Sequence, residues 1–569
     1  MQRPLKGMSL VDVLVGTALI LVVFLALFGL LRASVLVSAL TKSKAIATTI
    51  AESQMEYIRG MSYSKVGTVG GIPAGTVPQY ATTTENGLTF VTRTFIDYAD
   101  DPADGLGASD TNGIITDYKR VKVSVTYLAG GTKRTVDIIS NYTPPDLETT
   151  TGGGTLKIIV VNAAGAPVPG AAVNLVNSST SPTVNVSTFS DATGLVYLPG
   201  AATSSQYQVY VTKNGYSSAQ TYLRDSVNQN PTPGYLTIVA GVTTASTFAI
   251  DTLTSLAIST FSPIATTTFA DSFPNISQLA LLTNTVVSGG TLVLAGGPSN
   301  YVASGSALSN TITPSYLRSW VEASSTQAIP GGTSLVMQIT DASGVVLPDS
   351  VLPGNSTGFT TPVNLTSVST TTYPSLALRA KLTTTASSTS PTLNDWGLSY
   401  MRGPVPIPNV PFTLTGSKTI GSTGSSVPIY KTIVATTTGS TASNALTLEW
   451  DSYGLDLTGY DTVDVCNAPP YVQSPGASNS SSLYLTTATA NAVLVSVRDS
   501  VGAAVPGATV TVSKTGYSST GTTSACGGAY FGNLAASGTY TIVVSKAGYT
   551  TDTNLNVNIS GHIFYADSL

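Results

Sequence analysis

From Val13 to Leu31 the chain runs nineteen residues without a charged side chain, enough helix to cross the hydrocarbon of a bilayer. Whatever follows must fold as an appendage to this segment, because a soluble domain rarely exposes so large an apolar surface. Arg3 and Lys6 precede it, and a basic flank favours keeping the N-terminus on the cytoplasmic side. A secretory signal would end at a small-residue cleavage site, whereas here Arg32 and Ser34 to Ala39 carry the helical pattern onward. Ile46, Ile50, Ala51, Met55 and Ile58 recur at helical spacing as far as Arg59, and Gly60 ends the run. A helix over Ser9–Arg59 is about 75 Å long at 1.5 Å per residue, a stem more than a simple anchor. Asp12 lies just inside the apolar run. A carboxylate deep in hydrocarbon costs about 2.5–3.5 kcal/mol and needs a partner. At the cytoplasmic interface it would instead favour the positive end of the helix dipole.

The segment Lys6-Gly7-Met8-Ser9-Leu10-Val11-Asp12 resembles the class III signal of type IV prepilins. The resemblance implies cleavage by a prepilin peptidase between Gly7 and Met8, methylation of the new N-terminus, and an assembly role for Asp12, which would neutralise the terminal amine of a neighbouring subunit. Two positions depart from the family pattern: Met8 stands where Phe is usual and Asp12 where Glu is usual. Beyond the stem, Thr89–Ile96 and Lys119–Tyr127 alternate apolar and polar residues, and Thr135–Ser140 supplies a third strand. A stem helix followed by a small antiparallel sheet is also the plan of pilins, pseudopilins and minor pilins. Between the first two strands lie Asp97, Asp100, Asp101, Asp104 and Asp110, in a chain that is only 9% charged. Calcium takes six to eight oxygen ligands, so this loop is a candidate calcium site. Its spacing is not that of an EF-hand, and a solvated acidic turn explains the same residues.

Pro144 to Gly154 reads as a linker. The stretch after it, Gly165-Ala-Pro-Val-Pro-Gly-Ala-Ala-Val, returns as Gly502-Ala-Ala-Val-Pro-Gly-Ala-Thr-Val, and Lys213-Asn-Gly-Tyr216 returns as Lys546-Ala-Gly-Tyr549. This internal repeat resembles carboxypeptidase regulatory-like domains, which implies β-sandwiches of transthyretin type. A third copy is sketched at Pro408–Thr415. The expected organisation is a leader at 1–7, a transmembrane and stem helix at 8–60, a pilin-like β head at 61–145 and a linker at 146–154. A regulatory-like sandwich at 155–250 and a jelly-roll-like sandwich at 251–404 follow. A regulatory-like or Ig-like sandwich at 405–490 precedes the C-terminal regulatory-like sandwich at 491–569. The fold class is therefore mainly β with one long N-terminal helix.

Composition limits the chemistry. The formal net charge is −4 and charged residues fall well below the usual quarter, which excludes a cationic nucleic-acid surface. His562 is the one histidine, so a Ser-His-Asp triad would have to be built around this single imidazole near the C-terminus, and a two-histidine zinc site has no second ligand. The two cysteines, Cys466 and Cys526, could form a disulfide, but only outside the cytosol. Ser and Thr make up about 27% of the chain, far above ordinary usage and suited to exposure outside the cell and to glycosylation. Trp320, Trp396 and Tyr400 are candidates for a sugar-stacking platform, against the alternative that they fill a core.

The expected function is a minor pilin or pseudopilin carrying a β-sandwich stalk, located in the cytoplasmic membrane and, after assembly, at the bacterial surface. Its expected partners are other pilin subunits, the peptidase, the membrane and surface glycans, with no catalysis and no required cofactor. The alternative is an anchored adhesin or carbohydrate-binding protein outside any filament.

Overall fold

A computed structural model describes residues 10–105, 111, 114, 116–145, 152–360, 362–535 and 537–569, with the side chains of Val11 and Asp12 outside that description. The chain is mainly β with one long N-terminal helix, Leu10–Arg59, of 50 residues. The C-terminal part of this helix is amphipathic in effect. Ser43, Ala47, Ala51, Met55 and Ile58 form one buried stripe against Phe90, Ile96, Val121, Val123 and Val125. The small side chains at 47 and 51 let the sheet approach the helix closely, and Met55 and Ile58 fill the space beyond them.

The sheet they pack on has four antiparallel strands in chain order, Tyr80–Glu85, Leu88–Ala99, Tyr118–Ala129 and Thr132–Tyr142. Three match the expected strands; the first was not anticipated. Two of its hairpins close through Asn86-Gly87 and Gly130-Gly131, all four residues at positive φ, as a two-residue type I′ turn demands. Lys119 is buried on this sheet and donates to the carbonyls of Tyr63 (2.8 Å) and Val66 (2.7 Å), tying down the chain as it leaves the stem. Burial lowers its pKa to about 8.

The sandwich after the linker pairs Gly154–Val161 antiparallel with Leu195–Ala201 and parallel with Thr243–Ala249. Its second sheet is built on Ala172–Asn177, Val184–Phe189 and Ser204–Thr212. The C-terminal sandwich repeats the plan, with Asn491–Arg498 antiparallel to Gly528–Phe531 and parallel to Gly561–Ser568. The sequence repeat is matched bond for bond. Val168 N donates to Val160 O at 2.9 Å and Val505 N to Val497 O at 3.1 Å. Ser190 and Thr523 each offer a hydroxyl to the carbonyl of the repeated Val168 or Val505. The Lys-x-Gly-Tyr repeats also have a local explanation: Lys213 and Lys546 cap the carbonyls of Pro169 and Pro506 and lie over the rings of Tyr216 and Tyr549.

The expected boundaries at 251–404 and 405–490 need correction. Thr254–Ser262 is the central strand of the third sandwich, parallel to Ser478–Thr487 and antiparallel to Ser443–Leu448. The 265–402 region is thus inserted into that sandwich after its first strand. The chain leaves and returns side by side, since Ala265 pairs with Arg402. Periodicity could not reveal this, because a strand reads alike whether its partner is near or two hundred residues away. The insertion is itself two sheets, of six and four strands.

Lys119→Met should leave the Tyr63 and Val66 carbonyls without their donor, a loss of about 1–3 kcal/mol. The expected readout is faster amide hydrogen exchange in the 61–75 segment, with exchange in the C-terminal sandwich unchanged.

Candidate assembly helix and stalk junctions

The helix has two halves with opposite surroundings. From Val13 to Val37 its large apolar side chains are all exposed, Phe24, Phe28 and Leu30 each by about two thirds, and they face every direction. The segment is long and apolar enough to cross a membrane, and an all-round apolar helix must be covered by lipid or by other helices. Thr17 and Thr41 return their hydroxyls to Leu14 O and Val37 O, so neither leaves an unmet donor along the helix. Asp12 lies in the first turns of the helix, with its side chain outside the described set, and Gly7 and Met8 precede the described residues.

The acidic loop divides among several local tasks. Asp97 is buried at the end of its strand and receives both Nε and Nη2 of Arg120. Burial raises its pKa and Arg120 opposes the rise. Asp101 caps its own turn by accepting from Ala103 N at 3.0 Å. Asp100 and Asp104 lie in the same loop, and Asp110 is outside the described residues. Among the described residues no three acidic, histidine or cysteine side chains converge as a metal group.

The modules meet through specific bonds. The head covers the edge strand Val184–Phe189 of the first sandwich: Gly70 O accepts from Asn185 N (2.8 Å), Gln79 donates to Asn185 O (2.6 Å) and Arg93 donates to Ser187 O. An edge strand otherwise offers these groups to any passing chain. The first sandwich meets the third through Asn228, Asn230 and Thr232, which bond the backbone at Ile420 and Ser422. Gly421 permits this approach at φ +145°, since a Cβ there would lie 2.5 Å from Asn230 O. Lys431 adds a bridge, bonding both Ser218 O and Glu449 at 2.7 Å.

The third and C-terminal sandwiches share the densest junction. Cys466 and Cys526 form a disulfide across it, with Cα atoms 4.4 Å apart. Beside it Asp461, almost fully buried, accepts from Tyr530 OH (2.8 Å) and from the backbone and hydroxyl of Thr489 (2.9 and 2.8 Å). His562 Nδ1 stands 3.5 Å away. Burial lowers the His562 pKa, although Asp461 pulls the other way, and burial raises that of Tyr530 to about 12. Sequence reasoning missed this hub. Its members are far apart in the chain, and a lone Asp in an alternating strand carries no mark of its partners.

Of the two readings of Trp320, Trp396 and Tyr400, the core holds and the platform does not. Trp320 and Trp396 are buried at 0% and 1% exposure in the core of the inserted sandwich, Trp320 donating to Tyr373 O, and Tyr400 packs edge-on against Trp320. Large flat side chains at inward strand positions fill the space between two sheets better than any aliphatic residue.

With this geometry in hand, residues 492–562 match the carboxypeptidase regulatory-like domain family. No curated protein matches the chain. Among solved structures it is similar to the Bacillus anthracis TIE protein, at 11% identity and TM-score 0.16, over 86% of this chain and 72% of that one. BcpA, the major pilin subunit of Bacillus cereus, aligns at 10% identity and TM-score 0.14 over 73% and 99%. The RrgB pilus protein of Streptococcus pneumoniae aligns at 11% and 0.12 over 72% and 94%. Superpositions this loose carry no argument about function.

Two outcomes follow at the last junction. In the folded state His562 resists protonation, so below about pH 6.5 the unfolded chain takes up a proton the folded chain refuses, and stability falls as pH drops. His562→Gln should remove that part of the pH dependence, read by comparing denaturation midpoints of the two proteins between pH 7.5 and 5. Replacing both cysteines by Ser frees a loop of sequence separation 60 and should cost about 2–4 kcal/mol, seen as an earlier urea transition of the terminal sandwiches.

Proposed function

We propose that the chain is a minor type IV pilin or pseudopilin whose head carries an extracellular stalk of β-sandwiches, and that it works by assembly and contact, not by catalysis. The observation that carries this reading is the divided helix: one half packs on its own four-stranded sheet, while the other is bare and apolar all round. Such a helix suits residence in the membrane first and a bundle of like helices afterwards. A prepilin peptidase cuts between Gly7 and Met8, and Asp12 then neutralises the amine of a neighbouring subunit. The chain sits once through the cytoplasmic membrane with its N-terminus inside, and the head and stalk lie outside. The size of the stalk restricts the subunit to a tip or to sparse positions.

The second reading, an anchored surface adhesin outside any filament, draws on the four bonded sandwiches, which hold a contact surface away from the membrane without needing a filament. One experiment separates the two. The full chain is expressed with a prepilin peptidase, and its N-terminus is read by mass spectrometry. A methylated Met8 is expected, and Asp12→Ala should then keep membrane insertion while losing co-assembly with other pilins. An intact Met1 would leave the adhesin reading.

A further inference from the structure

Trp320 and Trp396 face inward, and three exposed aromatic side chains from different elements converge elsewhere. Tyr80 of the head (53% exposed), Phe189 (55%) and Tyr210 (38%) of the first sandwich line one cleft of about 260 Å³. A second cleft of about 520 Å³ adjoins it and shares Tyr80 and Ser187 as walls. Together they fall within the usual range of small-ligand sites, roughly 300–1,000 Å³.

Strand register builds the site. Across the outer face of the sheet, Phe189, Ala172 and Thr212 form one row and Ser187, Asn174 and Tyr210 the next. Ala172 is thus a low floor between taller neighbours, with Phe189 on one side and Tyr210 diagonally on the other, and the head brings Tyr80 over the end. The walls are held in place. Arg93 stacks between the rings of Phe95 and Phe189, at 5.2 and 5.3 Å, and Tyr210 OH donates to Gln208 at 3.1 Å. Asn174 donates to Ser187 at 3.0 Å and to Asn185 at 3.3 Å, which orients its amide. Among the described residues its carbonyl oxygen and the Thr212 hydroxyl have no partner, so both remain for a ligand.

No charged side chain lines either cleft. Aromatic faces set among neutral amides and hydroxyls match a molecule with apolar C–H faces and many uncharged hydroxyls, each able to donate and to accept. We infer that this groove at the seam of head and first sandwich binds a neutral oligosaccharide. Because the site needs Tyr80 from the head, it exists only while the two modules stay docked. It is independent of whether the chain enters a filament.

The test uses the purified full chain in detergent micelles, with neutral glucan, mannan and N-acetylglucosamine hexasaccharides as probes in calorimetry. At least one should bind. Tyr80→Ala and Tyr210→Ala should each weaken it tenfold or more, while Tyr316→Ala, an equally exposed tyrosine of the inserted sandwich, should leave it unchanged. Ala172→Trp raises the floor without removing any wall and should abolish binding, which guards against a variant that fails only by misfolding. Absence of binding to every probe would overturn the proposal, as would binding that survives Ala172→Trp. A proline-rich peptide that binds the groove where the sugars do not would overturn the assignment of ligand.

Discussion

The stem helix imposes the constraint on which the rest depends. Its first half cannot remain in water, and its second half cannot leave the sheet that covers Ala47, Ala51, Met55 and Ile58. The head is therefore held at a fixed height above whatever buries Val13 to Leu31. Lys119 reinforces the arrangement by gripping the carbonyls just past the stem, where the chain would otherwise hinge.

From that base the stalk is assembled by contacts that do more than the linkers between modules. The head satisfies the backbone groups of an edge strand, which both docks the first sandwich and removes a site for unwanted strand pairing. The inserted sandwich is held by two chain crossings instead of one, and paired chains resist bending better than a single one. At the far end Asp461 draws hydrogen bonds from Thr489, in the short segment that joins the two sandwiches, and from Tyr530 of the next sandwich. A buried carboxylate is tolerated only where it is well supplied with donors, so a shift that pulls Tyr530 or Thr489 away while Asp461 stays buried is costly. The disulfide beside it makes the two terminal sandwiches one covalent unit.

Much of the architecture was legible because it rests on local pattern. The uncharged run, the helical spacing through Ile58 and the repeated Gly-Ala-x-Val-Pro-Gly motif each reflect a requirement met within a few residues. The head strand Tyr80–Glu85 was less legible, although Asn86-Gly87 marked its turn, since half of its residues are threonine and nearly all are exposed. Trp320 and Trp396 fill a core, as tryptophan usually does, because their register points inward. The exposed aromatic cluster formed instead from Tyr80, Phe189 and Tyr210, which are unremarkable in their own strands.

The sequence by itself determined the membrane-length helix, the β character of everything beyond it and the kinship of the two outer sandwiches. These follow from hydrophobic run length, from the period of two along a strand and from turn residues that admit positive φ, all of which are local. Tertiary structure alone decided that Thr254–Ser262 belongs to a sandwich completed after the 265–402 insertion. It also decided that Asp461 meets Tyr530 and His562, and that a cleft lies between head and stalk. Those outcomes depend on which faces and edges meet across long separations in the chain, and a side chain's neighbours there are set by packing, not by its place in the sequence.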